Sequence, residues 1–127
     1  MGGMETAGVL GNLVLGQRCE AGVCVLSVRG ELDLSSGAQL EECLIDLAGL
    51  GSVRIVLDAA GLTFCDASGI RVLLRGRARL RRQEGWLCLL DAPARVRLVL
   101  EIVGLVEVLP VFGSVGDAVA GMCLPAV

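Results

Sequence analysis

Apolar and polar positions alternate along this chain in an order that already suggests a fold. Residues 13–19 and 23–29 are two short strand-like runs, and Glu20, Ala21 and Gly22 between them suit a tight antiparallel turn. Residues 30–34 then lead into a helix. Ser36 followed by Gln39 fits a capping box, and Leu40, Cys43, Leu44 and Leu47 recur at i, i+3, i+4 and i+7. Gly49 or Gly51 is placed to end that helix in a left-handed cap. Residues 53–58 form a β-branched strand and 62–66 a loop. A second helix is expected from Ser68 to about Arg82, with Gly85 as its stop. The unbroken apolar run 86–90 suits a strand covered on both faces. Pro93 opens a third helix whose inner stripe is Val96, Val99, Leu100 and Val103, ended by Gly104. A short strand over 106–109 and a short helix over 114–121 complete the series.

Two strands followed by alternating helices and strands predict an α/β layer fold, a mixed sheet flanked by about four helices. With 127 residues there is room for one core. The expected domain spans 10–121, preceded by a Gly-rich segment, 1–9, that is expected to fray, and followed by a tail, 122–127.

Composition narrows the function. Apolar residues make up 54% of the chain and charged ones 20%, which argues for a packed core and against disorder. The net charge of −3 gives no drive toward direct nucleic-acid binding. The start of the chain lacks the pattern of a secretory signal, and the apolar stretch 98–112 is cut by Glu101, Gly104, Glu107 and Pro110. Neither secretion nor membrane insertion is therefore expected. There is no histidine, and all 11 basic residues are arginine. The six cysteines contain no C-x-x-C pair, which offers no zinc site, and they read as small buried hydrophobes in a reducing cytosol.

The segment most able to carry chemistry is Asp58 to Ile70, where Ser68 follows a strand and a loop bearing Asp58 and Asp66. One reading makes Ser68 the N-cap of the second helix, its oxygen accepting a backbone N–H. The other makes it a phosphate acceptor, because free N–H groups and the helix dipole favour an added dianion there. A serine hydrolase would need a base beside the nucleophile, and this chain has neither histidine nor lysine. A receiver-type phosphoaspartate site would need an acidic cluster after the first strand and a late lysine, and a nucleotide site a Gly-rich loop with Lys-Ser/Thr. None is present, so no catalytic residue, metal or cofactor is assigned, and the chain is expected not to be an enzyme.

Four landmarks point to a family. Asp66-Ala67-Ser68-Gly69-Ile70 resembles the D-[SA]-[ST]-G-[LIV] signature of STAS domains in anti-sigma factor antagonists. Gly30-Glu31-Leu32-Asp33 resembles the turn after that family's second strand, and Arg54 to Asp58 its central strand. Pro93, Val96, Leu100, Glu101, Gly104 and Leu105 resemble its helix ending. The pieces fall in order over roughly residues 10–121.

The resemblance implies a partner switch. The unphosphorylated protein binds an anti-sigma factor that is also a serine kinase of the histidine-kinase-like ATPase type, and so frees a sigma factor. Phosphorylation of the signature serine, Ser68 here, turns it off, and a PP2C-type phosphatase restores it. Asp33 and Asp66 match acids on the partner surface, and the signature Gly69 is grouped with them. The protein is then cytoplasmic. The alternative is a STAS subunit outside sigma control, associated with a transporter or a stressosome.

The helix after Ser68 is unusually rich in arginine. At about 100° per residue, Arg71, Arg75, Arg79 and Arg82 fall within an arc of about 80°, opposite Ile70, Leu73 and Leu74. This is either a solvated face or an anionic-partner patch, with Arg71 and Arg75 nearest Ser68 and able to pair with its phosphate. Arg77 and Arg81 fall on the apolar side, where snorkelling is the available account.

Overall fold

A computed structural model describes residues 13–123. The expectations for residues 1–9 and for the end of the tail, 124–127, lie outside it. The elements run β1 (Leu13–Glu20), β2 (Val23–Leu32), α1 (Gly37–Gly49), β3 (Arg54–Cys65), α2 (Ala67–Arg81), β4 (Trp86–Leu90), α3 (Ala94–Ile102), β5 (Val111–Phe112) and α4 (Val115–Met122). The sheet has the order β1-β2-β3-β4-β5. β1 is antiparallel to β2, and every other neighbour is parallel. The mixed α/β sheet expected from the sequence is what forms.

Period-two alternation explains why the central strands are apolar without a break. Leu26, Ile55, Leu57, Leu87 and Leu89 point into the larger core. There they meet Leu40 and Leu44 of α1, Leu73 and Leu80 of α2, and Val96 and Leu100 of α3. Val25, Val56, Cys88 and Leu90 point the other way, onto Val115 and Ala118 of α4. With helices on both faces, neither side of a strand can be polar.

Several local expectations are corrected. Ser36 precedes α1 but makes no capping bond to it. Its hydroxyl instead donates to the Glu31 carbonyl at 2.7 Å and accepts the Asp33 N–H at 3.1 Å. Residues 62–65 are not a loop, because β3 continues through two register shifts to pair Leu62 with Gly30 and Cys65 with Leu32. Residues 106–109 are turns, and the last strand is Val111–Phe112. Val103 is exposed and leaves the inner stripe of α3 to Val96, Leu100 and the half-buried Val99.

Gly51, at φ 89°, ends α1 in the left-handed conformation as expected. After α2 the left-handed residue is Glu84, at φ 62°. Gly85 is required for a different reason: a Cβ there would lie 2.6 Å from the Val53 Cβ. The cysteines also divide. Cys65 and Cys88 are buried, Cys24 and Cys43 are half-buried, and Cys19 and Cys123 are exposed. A uniform role as buried hydrophobes does not hold.

Candidate functional site

The site forms where β2 and β3 end side by side. Leu32 pairs with Cys65, and the Asp66 N–H donates to the Leu32 carbonyl at 3.3 Å, so Asp33 and Asp66 leave the sheet together. α1 and α2 pack against each other from that end of the sheet, Gly37 close to Val72 and Gly76 close to Leu44, and an open groove of about 300 Å³ lies between their N-terminal halves. Asp33, Ser68, Arg71 and Arg75 all line it. Four of the six residues singled out in the sequence are thus brought together. Asp66 and Gly69 stand behind the groove and shape it.

Asp66, and not Ser68, is the N-cap of α2. Its backbone is extended and its carboxylate accepts the Gly69 N–H at 3.0 Å. Ser68 is the second residue of the helix, half-buried, and its hydroxyl has no hydrogen-bond partner among the described residues. Gly69 is buried against the end of β2. A Cβ there would lie 2.7 Å from Leu32 Cγ, 2.9 Å from the Leu32 carbonyl oxygen and 3.0 Å from Cys65 Sγ. Gly69 therefore sets how closely the start of α2 approaches the sheet, and with it the depth at which Ser68 sits. Burial, together with the nearby Asp66, pushes the Cys65 thiol up to about 11, so it stays protonated behind the site.

Asp33 organises the opposite wall. Its carboxylate accepts from the Ser35 hydroxyl at 2.8 Å, the Ser35 N–H at 3.0 Å and the Ser36 N–H at 3.1 Å. The Ser35 hydroxyl bond, reinforced by those from Ser36, holds the Asp33 carboxyl below its ordinary range. Asp33 is therefore a fixed negative charge in a closed turn, and the Gly37 N–H bonds its carbonyl at 2.9 Å.

The arginines do not behave alike. Arg75 is committed to α1: its Nε donates to Glu41 Oε2 at 2.7 Å and its Nη2 to Glu41 Oε1 at 2.9 Å, a bidentate pair. Arg71 is exposed and has no ion-pair partner among the described residues, one helical turn beyond Ser68. Arg79 and Arg82 are exposed further along, and the half-buried Arg77 lies with Arg81 beside Trp86, away from the groove.

Sequence reasoning missed Leu34 and Glu41. Leu34 is 81% exposed on the lip of the groove. The only signal for it was an aliphatic residue inside the polar turn Asp33 to Ser36. Glu41 faces Arg75 across two helices, a contact without any sequence period to reveal it.

Comparison with known proteins agrees with this geometry. The family model described as STAS domain matches residues 17–118. BtrV of Bordetella bronchiseptica, named as an anti-sigma factor antagonist, is 32% identical over 93 residues, which span 73% of this chain and 80% of that protein. The anti-sigma-F factor antagonist RsfB of Mycobacterium tuberculosis is 28% identical over 104 residues, 80% of this chain and 82% of that one. Among solved structures, an anti-sigma factor antagonist from Mycobacterium paratuberculosis matches with a TM-score of 0.75 at 21% identity, over 86% of this chain and 92% of that chain. Bacillus SpoIIAA in its phosphorylated form matches with a TM-score of 0.65 at 21% identity, over 86% of this chain and 99% of that chain. The chain therefore belongs to the STAS domain family, and the relatives it matches along most of its length are named anti-sigma factor antagonists.

Proposed function

We propose that this protein is an anti-sigma factor antagonist. In its unphosphorylated form it binds an anti-sigma factor through the groove around Ser68, and the sigma factor is released. The anti-sigma factor doubles as a serine kinase of the histidine-kinase-like ATPase type. Phosphorylation of Ser68 ends the interaction, and a PP2C-type phosphatase restores it in the cytoplasm. The kinase brings ATP and magnesium, so this chain supplies only a hydroxyl and a docking surface.

The observation that carries this reading is the uncommitted hydroxyl of Ser68. Ser27 bonds the Gly16 carbonyl, Ser35 and Ser36 are tied to the Asp33 turn, and Ser114 accepts the Asp117 N–H as the cap of α4. Ser52 is the other serine whose hydroxyl has no partner among the described residues, and it lies in the turn between α1 and β3, at the opposite end of the sheet from the groove. Ser68 alone combines a free hydroxyl with the first turn of a long helix and a groove. Asp66 already satisfies the Gly69 N–H, so phosphate on Ser68 would add charge without removing the cap.

The test is incubation with such a kinase and ATP. One phosphate is expected, at Ser68, and none on the Ser68→Ala protein. A phosphate mapped to Ser35, Ser36, Ser52 or Ser114 in the wild-type protein would overturn the assignment.

A further inference from the structure

We propose that Cys19 and Cys24 form a modification site, a cross-strand dithiol that a peroxide-class oxidant closes into a disulfide. The two residues are direct partners in the β1–β2 register. The turn joining the strands has two residues, Ala21 at φ 54° and Gly22 at φ 80°, and Glu20 pairs with Val23 across it. Two positive φ values make a type I′ hairpin, in which the pair flanking the turn exchanges both backbone bonds. The next pair outward is then of the non-hydrogen-bonded kind, with Cα atoms about 4.5 Å apart and side chains on one face. That spacing falls within the Cα range of disulfides, about 4.4–6.8 Å.

Access separates this pair from the buried Cys65 and Cys88, and register separates it from the exposed Cys123, which has no strand partner. Cys19 is exposed and Cys24 half-buried, and both line an open groove with Gly22, Ser52 and Arg54. Burial pushes the Cys65 thiol up to about 11 and the Cys88 thiol to about 12, which keeps both inert. Cys43, on α1, is half-buried and near enough to Cys24 for their charges to interact, and it is the rival partner. Burial and then Cys19 raise the Cys24 thiol, so Cys24 suits the second step of the reaction better than the first.

The chemistry balances with hydrogen peroxide as oxidant. The Cys19 sulfur attacks one peroxide oxygen, the O–O bond breaks, and water leaves behind a sulfenic acid. The Cys24 sulfur then attacks the Cys19 sulfur, the S–S bond forms, and the sulfenic hydroxyl leaves as a second water with the Cys24 proton. Each sulfur gives up one electron and the peroxide takes two. The hairpin lies at the opposite end of β2 from Asp33 and the Ser68 groove, so this site is independent of the switch proposed above.

The test uses the full chain, reduced, freed of reductant, treated with a few equivalents of hydrogen peroxide and then alkylated. Two of the six thiols are expected to be lost with no disulfide-linked dimer formed. The tryptic peptide from Cys19 to Arg29 should be unalkylated and two hydrogens lighter. After further cleavage behind Glu20, its halves should stay joined until dithiothreitol is added. Cys19→Ser should abolish the bond, and Cys43→Ser should leave it intact. A Cys24–Cys43 bond, a dimer linked through Cys19, a sulfinic acid at Cys19 beside a free Cys24 thiol, or no loss of thiols would each overturn the proposal.

Discussion

The carboxylate of Asp66 reaches over Ser68 to accept the Gly69 N–H at 3.0 Å. Asp66, two residues before the serine, and Gly69, just after it, therefore satisfy each other and leave the Ser68 hydroxyl out of the helix cap. This separates two roles that a single serine at a helix start would otherwise combine. Asp66→Ala should cost about 1 kcal/mol of stability, within the roughly 0.5–2 kcal/mol range of lost N-caps. Ser68→Ala should cost clearly less. Urea unfolding of both variants checks the order, and a larger loss for Ser68→Ala would return the capping role to Ser68.

Gly69 is held between Leu32 and Cys65 with no room for a methyl group. Gly69→Ala should force β2 and α2 apart and destabilise the protein by roughly 1–3 kcal/mol, as over-packing does. Because the same shift moves Ser68, phosphorylation by the kinase should slow as well. A variant as stable as wild type, by thermal melting, would mean that the close approach is not needed.

Leu34 lies on the lip of the groove and is four-fifths exposed, so it contributes little to the core. An exposed aliphatic side chain beside the proposed phosphorylation site suits a binding anchor. Leu34→Ala should leave the melting temperature unchanged and weaken anti-sigma binding by about tenfold, the scale of one moderate anchor. Equal affinity in a calorimetric titration would remove Leu34 from the interface.

Arg75 and Glu41 link α1 to α2, and the hydrogen bonds from Arg75 hold the Glu41 carboxyl below its ordinary range. A carboxyl whose folded pKa is depressed stabilises the fold above its unfolded value, about 4.3, and that contribution disappears as pH falls through the folded value. Wild type should therefore melt slightly above Glu41→Gln at neutral pH, and the difference should shrink once the pH falls below the unfolded value and disappear as Glu41 becomes protonated in the fold. The difference should be small, since Arg75 is half-exposed and solvent screens the pair. A gap that widens on acidification would contradict the pairing.

The layer order was legible because each element carries its own period. Leu40, Leu44 and Leu47 mark the buried face of α1, and the unbroken run Trp86–Leu90 marks a strand covered on both sides. The resemblance to the family signature and turn put Ser68 and Asp33 on one surface, and helical spacing put Arg71 one turn from Ser68; the structure joins them because β2 and β3 end side by side as parallel neighbours. The errors came where a tertiary contact outweighs a local pattern. Ser36 has the spacing of a capping box, yet its hydroxyl is drawn back to Glu31. Residues 62–65 have the look of a loop, yet Leu32 pairs with Cys65 and extends β3. Arg75 has the look of a free charge on an arginine stripe, yet Glu41 of another helix engages it.

The central claim is that charge at Ser68 is the switch, and the most direct measurement is titration of wild type, Ser68→Ala and Ser68→Asp against the anti-sigma partner. In the proposed interface, the groove presents a neutral hydroxyl beside the fixed charge of Asp33. A second negative charge buried there by a bound partner, with Arg71 one helical turn away and exposed to solvent, should cost on the order of 2–5 kcal/mol of binding, about a hundredfold or more in affinity. The helix start accepts the charge, so the melting temperature of Ser68→Asp should stay close to that of wild type. The expected result is tight binding by wild type and Ser68→Ala and a loss of about a hundredfold for Ser68→Asp at unchanged stability. Equal affinity of Ser68→Asp and wild type would show that charge at Ser68 does not control the partner, and would contradict the account.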